Sequence, residues 1–496
     1  MSASHPTQRS PHRRLKRWAS AVLATTLLAG ISGTAEAVAS TATGSSNHGS
    51  IYHDPTDSQV RQYIASNAAT PYQGWSSWSM QSSSYPGLNT NGNYSYLTEA
   101  HVLQQAKALV TSGLAAHGYN YVNIDAGWWR QADWTPEYDS HGRPQVDATR
   151  FPSGMAAVIK QIHDLGLKAG IYMPVGIEKE AVDNGDYPIA GAPGCSTHDI
   201  VYPDRRTTNG WDSSYKIDFT NPCSQYWVDS IAHEFAAWGV DFLKLDGVGP
   251  GSDKAGQGPN YDNTSDVKAW ATALAGSGRK IHFELSWKLS HDYIDTWKAY
   301  SNGWRVESDV ECYCSTLVQW DHSIKQRFAD VIPFINDAGP GGWNDLDSLD
   351  VGNGKMDGIT EAERQTYTSF WALEAAPLYT GDDLTQLDTL GKKLLTNDEV
   401  IALDQAGRPA HPVDTSTPQQ VWVTHNRNGS VTVGLFNLDA TPATVTANWS
   451  DLQLRGNASV RDLWQHKVIG HSAKSWSVQL PAHGSALLTI TPSRVG

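Results

Sequence analysis

The chain has 496 residues, 40% hydrophobic and 18% charged, with a formal net charge of −14. That length exceeds a single compact core and suits a large domain followed by a smaller one. The acidic balance, with no basic tail or basic helix, argues against nucleic acid and anionic membranes as partners.

The first segment reads as a secretory signal, residues 1–37. "HRRLKRW" (12–18) is basic, "ASAVLATTLLAGISG" (19–33) is apolar and "AEA" (35–37) is an Ala-x-Ala cleavage site. The Arg13-Arg14 pair permits the twin-arginine route. No other run approaches the roughly 20 apolar residues of a membrane span, so an exported protein free of the membrane after signal removal is expected. Residues 38–68 read as a linker or N-terminal extension, and "VASTATGSSNHGS" (38–50) has a flexible composition.

Residues 69–407 alternate short apolar runs with amphipathic helical stretches. "YNYVNID" (119–125) is strand-like, "MAAVIKQIHDLG" (155–166) helical and "LKAGIYMPV" (167–175) again strand-like. "CSQYWVDSIAHEFAAWG" (223–239) is helical and "VDFLKLD" (240–246) extended. "KIHFELS" (280–286), "GWRVES" (303–308) and "VIPFIN" (331–336) are further strand candidates. This rhythm predicts an α/β fold, an eight-fold β/α barrel of the TIM type. No dinucleotide-binding glycine motif follows the first strand. From 408 to 496 the pattern changes to alternating strands separated by turns such as Asn428-Gly429, which predicts an antiparallel β-sandwich.

Chemistry-bearing residues gather where barrel strands should end. Asp125, Asp246 and Asp309 are such acids. One alone commonly caps the next helix, whereas several converge on the rim of one cleft. In "FLKLDG" (242–247), Lys244 and Asp246 are two apart and point to the same side, where an ammonium would keep a carboxylate nucleophile ionised. A structural ion pair is the alternative. In "WRVESD" (304–309), Arg305 can hold a hydroxyl or carboxylate, and Asp309, with Glu307 as its competitor, can donate a proton. "GPGGWNDLDSLDVGNG" (339–354) adds Asp345 and Asp347, but its spacing fails as a calcium loop. The four cysteines, Cys195, Cys223, Cys312 and Cys314, lack zinc-finger spacing and permit three disulfide pairings in an oxidising compartment. No metal or other cofactor is expected. Paired carboxylates without a metal motif, a phosphate loop or a nucleophile elbow point to glycoside hydrolysis.

These residues bear a resemblance to a known family. "GWSSW" (74–78), "IDAGWW" (124–129), "DSHGRPQVDATRFPSGM" (139–155), "HDLGLKAGIY" (163–172), "FAAWGVDFLKLD" (235–246), "WRVESD" (304–309), "GPGGWNDLDSLDVGNG" (339–354) and "SFWALEAAPLYTGDDL" (369–384) resemble the α-galactosidase family, glycoside hydrolase family 27. The resemblance implies a retaining double displacement, with Asp246 as nucleophile and Asp309 as acid/base. It also implies a sugar pocket lined by Trp75, Asp125, Tyr172, Lys244 and Arg305, with Asp347 at its edge.

Three departures from the family pattern concern specificity. Ala126 stands where the family usually has a second Asp gripping the sugar. Ser286 stands where α-galactosidases place a Glu, and N-acetylgalactosamine-specific relatives pair that Ser with a small Ala where this chain has Leu289. The family's usual disulfide needs Cys at positions occupied by Glu180 and Val248, so Cys195 with Cys223 would instead close the insertion at 184–210. The implied activity is a secreted exo-α-glycosidase acting on an oligo- or polysaccharide or a glycoside, α-galactosidase-like. The alternatives are isomalto-dextranase, then β-L-arabinopyranosidase or α-N-acetylgalactosaminidase activity, and, outside catalysis, an inactive carbohydrate-binding protein.

Overall fold

The computed structural model describes residues 52–249 and 262–493. The secretory signal and residues 38–50 lie outside them.

Eight parallel strands build the large domain: β1 (Gln73–Ser76), β2 (Tyr121–Ile124), β3 (Lys168–Pro174), β4 (Phe242–Asp246), β5 (His282–Leu285), β6 (Gly303–Arg305), β7 (Trp343–Asp345) and β8 (Leu378–Thr380). Each pairs in parallel with its neighbour in sequence from β1 to β7, and β8 pairs with β1. The remaining seam, between β7 and β8, is bridged just past the end of β7, where Leu349 N–H donates to the Tyr379 carbonyl (2.7 Å). The architecture is the expected (β/α)8 barrel.

The helices obey their sequence signals. Glu99–Thr111 begins where the Thr98 side chain accepts from His101 N–H, and buries Val102, Ala106 and Leu109. Met155–Asp164 buries Val158, Ile159 and Ile162 at helical spacing. At the strand starts Tyr72, Tyr121, Phe242 and Tyr379 form an aromatic cluster, with Tyr72 stacked on Tyr379 at 5.3 Å. The opposite end is where strands terminate in polar residues.

Residues 411–492 form an antiparallel six-stranded sheet and a two-stranded sheet, the latter pairing Ala443–Asn448 with Ser475–Leu480. Apolar residues between the sheets, including Val433, Leu435, Val445 and Leu488, make a separate core. This sandwich packs tightly on the barrel. Phe328 and Phe370 stack with centroids 3.7 Å apart, and both meet Phe436. Trp464 donates from its indole nitrogen to Ser369 (2.9 Å).

Two expectations need correction. "VIPFIN" is not a strand: Ile332–Phe334 is a 3₁₀ turn, and the seventh strand is Trp343–Asp345. Pro333 lacks the N–H that a central strand would donate. The stretch taken as linker up to residue 68 contains the helix Asp57–Ala65, which buries Val60 and Ile64 in the main core behind a Thr56/Gln59 capping box.

Candidate active site

At the carboxyl ends of the strands lies a cavity of about 500 Å³ whose lining includes Asp125, Ala126, Tyr172, Asp246 and Asp309. Strand register explains the convergence. Tyr172 pairs with Lys244 and Pro174 with Asp246 across β3 and β4, while Arg305 pairs with Asp345 across β6 and β7.

Asp246 is the last residue of β4, and its Oδ1 is buried with no hydrogen-bond partner among the described residues. The guanidinium of Arg305 approaches that oxygen to 4.0 Å. The same nitrogen, Nη2, donates to Oδ1 of Asp309, and Nη1 lies 3.1 Å from Asp347. Arg305 is 1% exposed. Its burial disfavours charge, but the carboxylates of Asp347, Asp309 and Asp246 outweigh that cost and raise its pKa further.

Asp347 has φ 80° and receives the N–H groups of Val310 and Ser348 and the hydroxyl of Tyr379, each at 2.9 Å. Burial works against its charge, yet Arg305, Lys244 and Arg327 bring its pKa below the ordinary value. Asp345 goes the other way: burial, then the charge of Asp347, raises it to about 6.

Lys244 does not make its direct bond to Asp246. Its ammonium donates to Asp125 Oδ2 (2.9 Å) and sits 5.6 Å from the centre of the Tyr172 ring. Burial opposes its charge, but Asp125 and Asp246 prevail and hold it protonated. Asp125 therefore does more than end its strand, although its Oδ1 also accepts from Ala126 N–H (2.8 Å). Ala126 presents only a methyl group to the cavity.

Three sequence candidates lie elsewhere. Trp75 is fully buried outside the cavity lining, its indole donating to the Asp382 carbonyl (2.9 Å). Ser286 faces a smaller space inside the barrel, shared with Lys244 and Glu284, and its hydroxyl has no partner among the described residues. Glu307 pairs with Lys288 (3.3 Å) and does not line the cavity, whereas Asp309 does.

The cavity also contains residues the sequence did not single out. Glu178, on the short strand Ile177–Glu178, accepts from Trp129 (2.7 Å), Tyr138 (2.8 Å) and Arg130. Glu311 accepts from Ser79 (2.7 Å) and Ser348 (3.1 Å), and burial followed by the charges of Asp347 and Asp309 raises its pKa strongly. Oxygens of Asp309, Glu311 and Asp347 lie within 4.8 Å of one another, a spacing that could suit a cation. Arg305 already bridges Asp309 and Asp347 and supplies positive charge there.

The insertion shapes one wall. Cys195 is bonded to Cys223, and Ile177–Glu178, Thr207–Thr208 and Ser214–Tyr215 form a small sheet. This carries Trp211 to the cavity, edge-on to Trp287 at 5.4 Å. An added Cβ at Gly210 would sit 1.9 Å from the Trp287 ring, so a larger residue there would displace that ring. Opposite, Trp78 stacks on Tyr94 at 5.4 Å. Cys312 and Cys314 form the second disulfide, with Tyr313 between them. Trp287, directly after Ser286, and Tyr313, between two cysteines, had signals in the sequence; Glu178 and Glu311 had none.

Comparison with known proteins shows the family. The α-galactosidase A family model matches residues 70–220 and 209–406, and the α-galactosidase C-terminal β-sandwich model matches 416–490. The α-galactosidase of Cyamopsis tetragonoloba is 31% identical over 452 residues, covering 87% of this chain and 89% of its own. Among solved structures, the β-L-arabinopyranosidase of Geobacillus stearothermophilus superposes with a TM-score of 0.77 at 26% identity, covering 88% of this chain and 99% of that one. α-Galactosidase I of Mortierella vinacea superposes with a TM-score of 0.65 at 28% identity, covering 86% and 99%. The chain belongs to the α-galactosidase family, glycoside hydrolase family 27, and is a glycoside hydrolase.

Proposed function

We propose that the protein is a secreted exo-α-glycosidase that retains anomeric configuration, with Asp246 as nucleophile and Asp309 as acid/base. The observation carrying this reading is that one nitrogen of Arg305 bonds Asp309 and lies 4.0 Å from Asp246. Two carboxyl groups flanking one nitrogen suit the close spacing, about 5–5.5 Å, that a covalent glycosyl intermediate needs. The Asp246 carboxylate, which lines the cavity, attacks the anomeric carbon while Asp309 protonates the leaving oxygen. Asp309, now a carboxylate, takes a proton from water as the water oxygen bonds the anomeric carbon and the bond from that carbon to Asp246 breaks. Arg305 and Lys244 offset the negative charge that would otherwise gather in a largely buried site.

The relatives include enzymes named for α-galactose and for β-L-arabinopyranose, so the family leaves the sugar open. Aryl α-galactoside cleavage is the first expectation. Ala126 favours a second reading, an isomalto-dextranase-like enzyme that needs no second acid at this point of the pocket. The tryptophans on facing walls suit an extended chain.

A panel of aryl α-galactoside, aryl α-N-acetylgalactosaminide, aryl β-L-arabinopyranoside and dextran, assayed with the wild type and Asp246→Asn, tests both readings. Asp246→Asn is expected to lower turnover by roughly 10⁴-fold or more, as when one member of a catalytic unit is removed. Unchanged turnover would overturn the nucleophile. Sugar binding without cleavage of any substrate would instead make the protein a carbohydrate-binding one.

A further inference from the structure

Asp309 is gripped from two sides. Arg305 donates to Oδ1, and the hydroxyl of Tyr313 donates to Oδ2. The cationic guanidinium makes Oδ1 the less basic oxygen, so the proton that Asp309 transfers resides on Oδ2, whose remaining lone pair accepts from the neutral Tyr313 hydroxyl. Tyr313 therefore touches the oxygen that does the acid–base work.

Several features hold Tyr313 there. Its backbone has φ 50°, a left-handed conformation that costs a bulky aromatic residue energy. The disulfide joins the residues immediately before and after it, Cys312 and Cys314, and so closes a three-residue ring around it. Trp78 Nε1 donates to the same hydroxyl (3.3 Å). The residue is 50% exposed, so its ring edge lies open at the cavity wall while its hydroxyl turns inward to the carboxylate. Loss of water around that hydroxyl, with the charges of Asp309 and Glu311, raises the phenol pKa and keeps it an O–H donor.

We propose that Tyr313 is a positioning residue for Asp309, and that the Cys312–Cys314 clip exists to present it. The tyrosine directs the Oδ2 proton toward the leaving-group oxygen, and the clip keeps the tyrosine in its unfavourable backbone conformation. This rests on Asp309 being the acid/base.

The test exploits leaving-group chemistry. A 2,4-dinitrophenyl glycoside departs without protonation and a methyl glycoside does not, and kcat/KM reports the glycosylation step. The pair is used as α-galactopyranosides, or as the anomers of whichever sugar the panel shows released. Tyr313→Phe is expected to lower kcat/KM for the methyl glycoside by roughly tenfold to a hundredfold, the worth of one hydrogen bond to a charged group. For the dinitrophenyl glycoside it should change by less than about twofold. Cys312→Ser with Cys314→Ser should shift the methyl glycoside in the same sense, by about threefold or more through misplacement. Asp309→Ala, with azide added to supply an external nucleophile, is the control: a methyl-glycoside loss of roughly 10²–10⁴-fold and azide rescue on the dinitrophenyl substrate are expected.

If Asp309→Ala shows neither, the acid/base assignment fails and this proposal falls with it. If Asp309→Ala behaves as expected while Tyr313→Phe treats both substrates alike, only the role of Tyr313 is wrong. If Tyr313→Phe behaves as expected but the double serine variant matches the wild type, the clip has no part in it. Circular dichroism and thermal melts separate a misfolded double variant from a misplaced tyrosine, and Tyr313→Phe tests the tyrosine independently.

Discussion

The two sides of the cavity are built on different plans. On the side of β6 and β7 one buried guanidinium serves three carboxylates, those of Asp246, Asp309 and Asp347. On the side of β2 and β4 one ammonium makes a single bond to Asp125, and the neighbouring position is the methyl of Ala126. A cluster with three acids on one arginine leaves little room to vary, because removing any member strands charge out of water. The Asp125–Lys244 pair is buried as well and would strand a charge if broken, but Ala126 beside it is uncharged and can be altered without that penalty. Under the proposed mechanism the reaction centres on the carboxylates around Arg305, and the choice of sugar on the position of Ala126.

The largest expected effect attacks the first side. Arg305→Met leaves buried carboxylates without a counter-charge and should destabilise the protein by about 3–5 kcal/mol, read from urea unfolding. A loss under about 1 kcal/mol would mean that water screens the cluster. Ala126→Asp attacks the second side. It should raise kcat/KM on aryl α-galactoside over its value on dextran by roughly tenfold to a hundredfold, from about 1.5–3 kcal/mol for a hydrogen bond to a charged group. An unchanged ratio would remove position 126 from specificity.

A pH series sharpens the contrast. Asp345 has a folded pKa of about 6 against 3.8 for the free group, so it favours the folded state below pH 3.8 and loses that contribution as the pH rises through 6. Asp345→Asn stays neutral throughout. It should match the wild type in urea melts near pH 4 and exceed it at pH 7.5. The gain should be about 3 kcal/mol, the worth of a pKa moved from 3.8 to about 6 with the attraction of Arg305 already counted in it. Equal stability at both pH values would contradict the burial of this charge. The smallest effect concerns the far wall. Trp211→Ala should spare aryl glycosides and weaken KM for a long oligosaccharide by roughly twofold to tenfold, for a contact of about 0.5–1.5 kcal/mol.

Strands and helices with a strong period were legible in the sequence. β2, β3 and β4, and the helices Met155–Asp164 and Cys223–Trp238, fall inside the stretches named for them. Of the three-residue strands, β6 fell inside "GWRVES" and the other two were harder. β7 and β8 are too short to carry a period, and "VIPFIN" was apolar enough to stand in for β7. Asp125, Asp246 and Asp309 could be suspected because each ends or closely follows a strand. Lys244 was placed on the correct face, but its partner was misjudged: the spacing of two names Asp246, whereas the barrel's curvature brings Asp125 from β2 within 2.9 Å.

By itself the sequence determined the barrel, the sandwich and which acids stand at the strand ends, because strand and helix periods and terminal carboxylates are local properties of the chain. Only the tertiary structure decided which groups grip each oxygen of Asp309, that Trp75 is core, and that Ser286 looks into the barrel. Those outcomes depend on side chains far apart in sequence meeting across a closed sheet, and one chain read from end to end carries no distance between them.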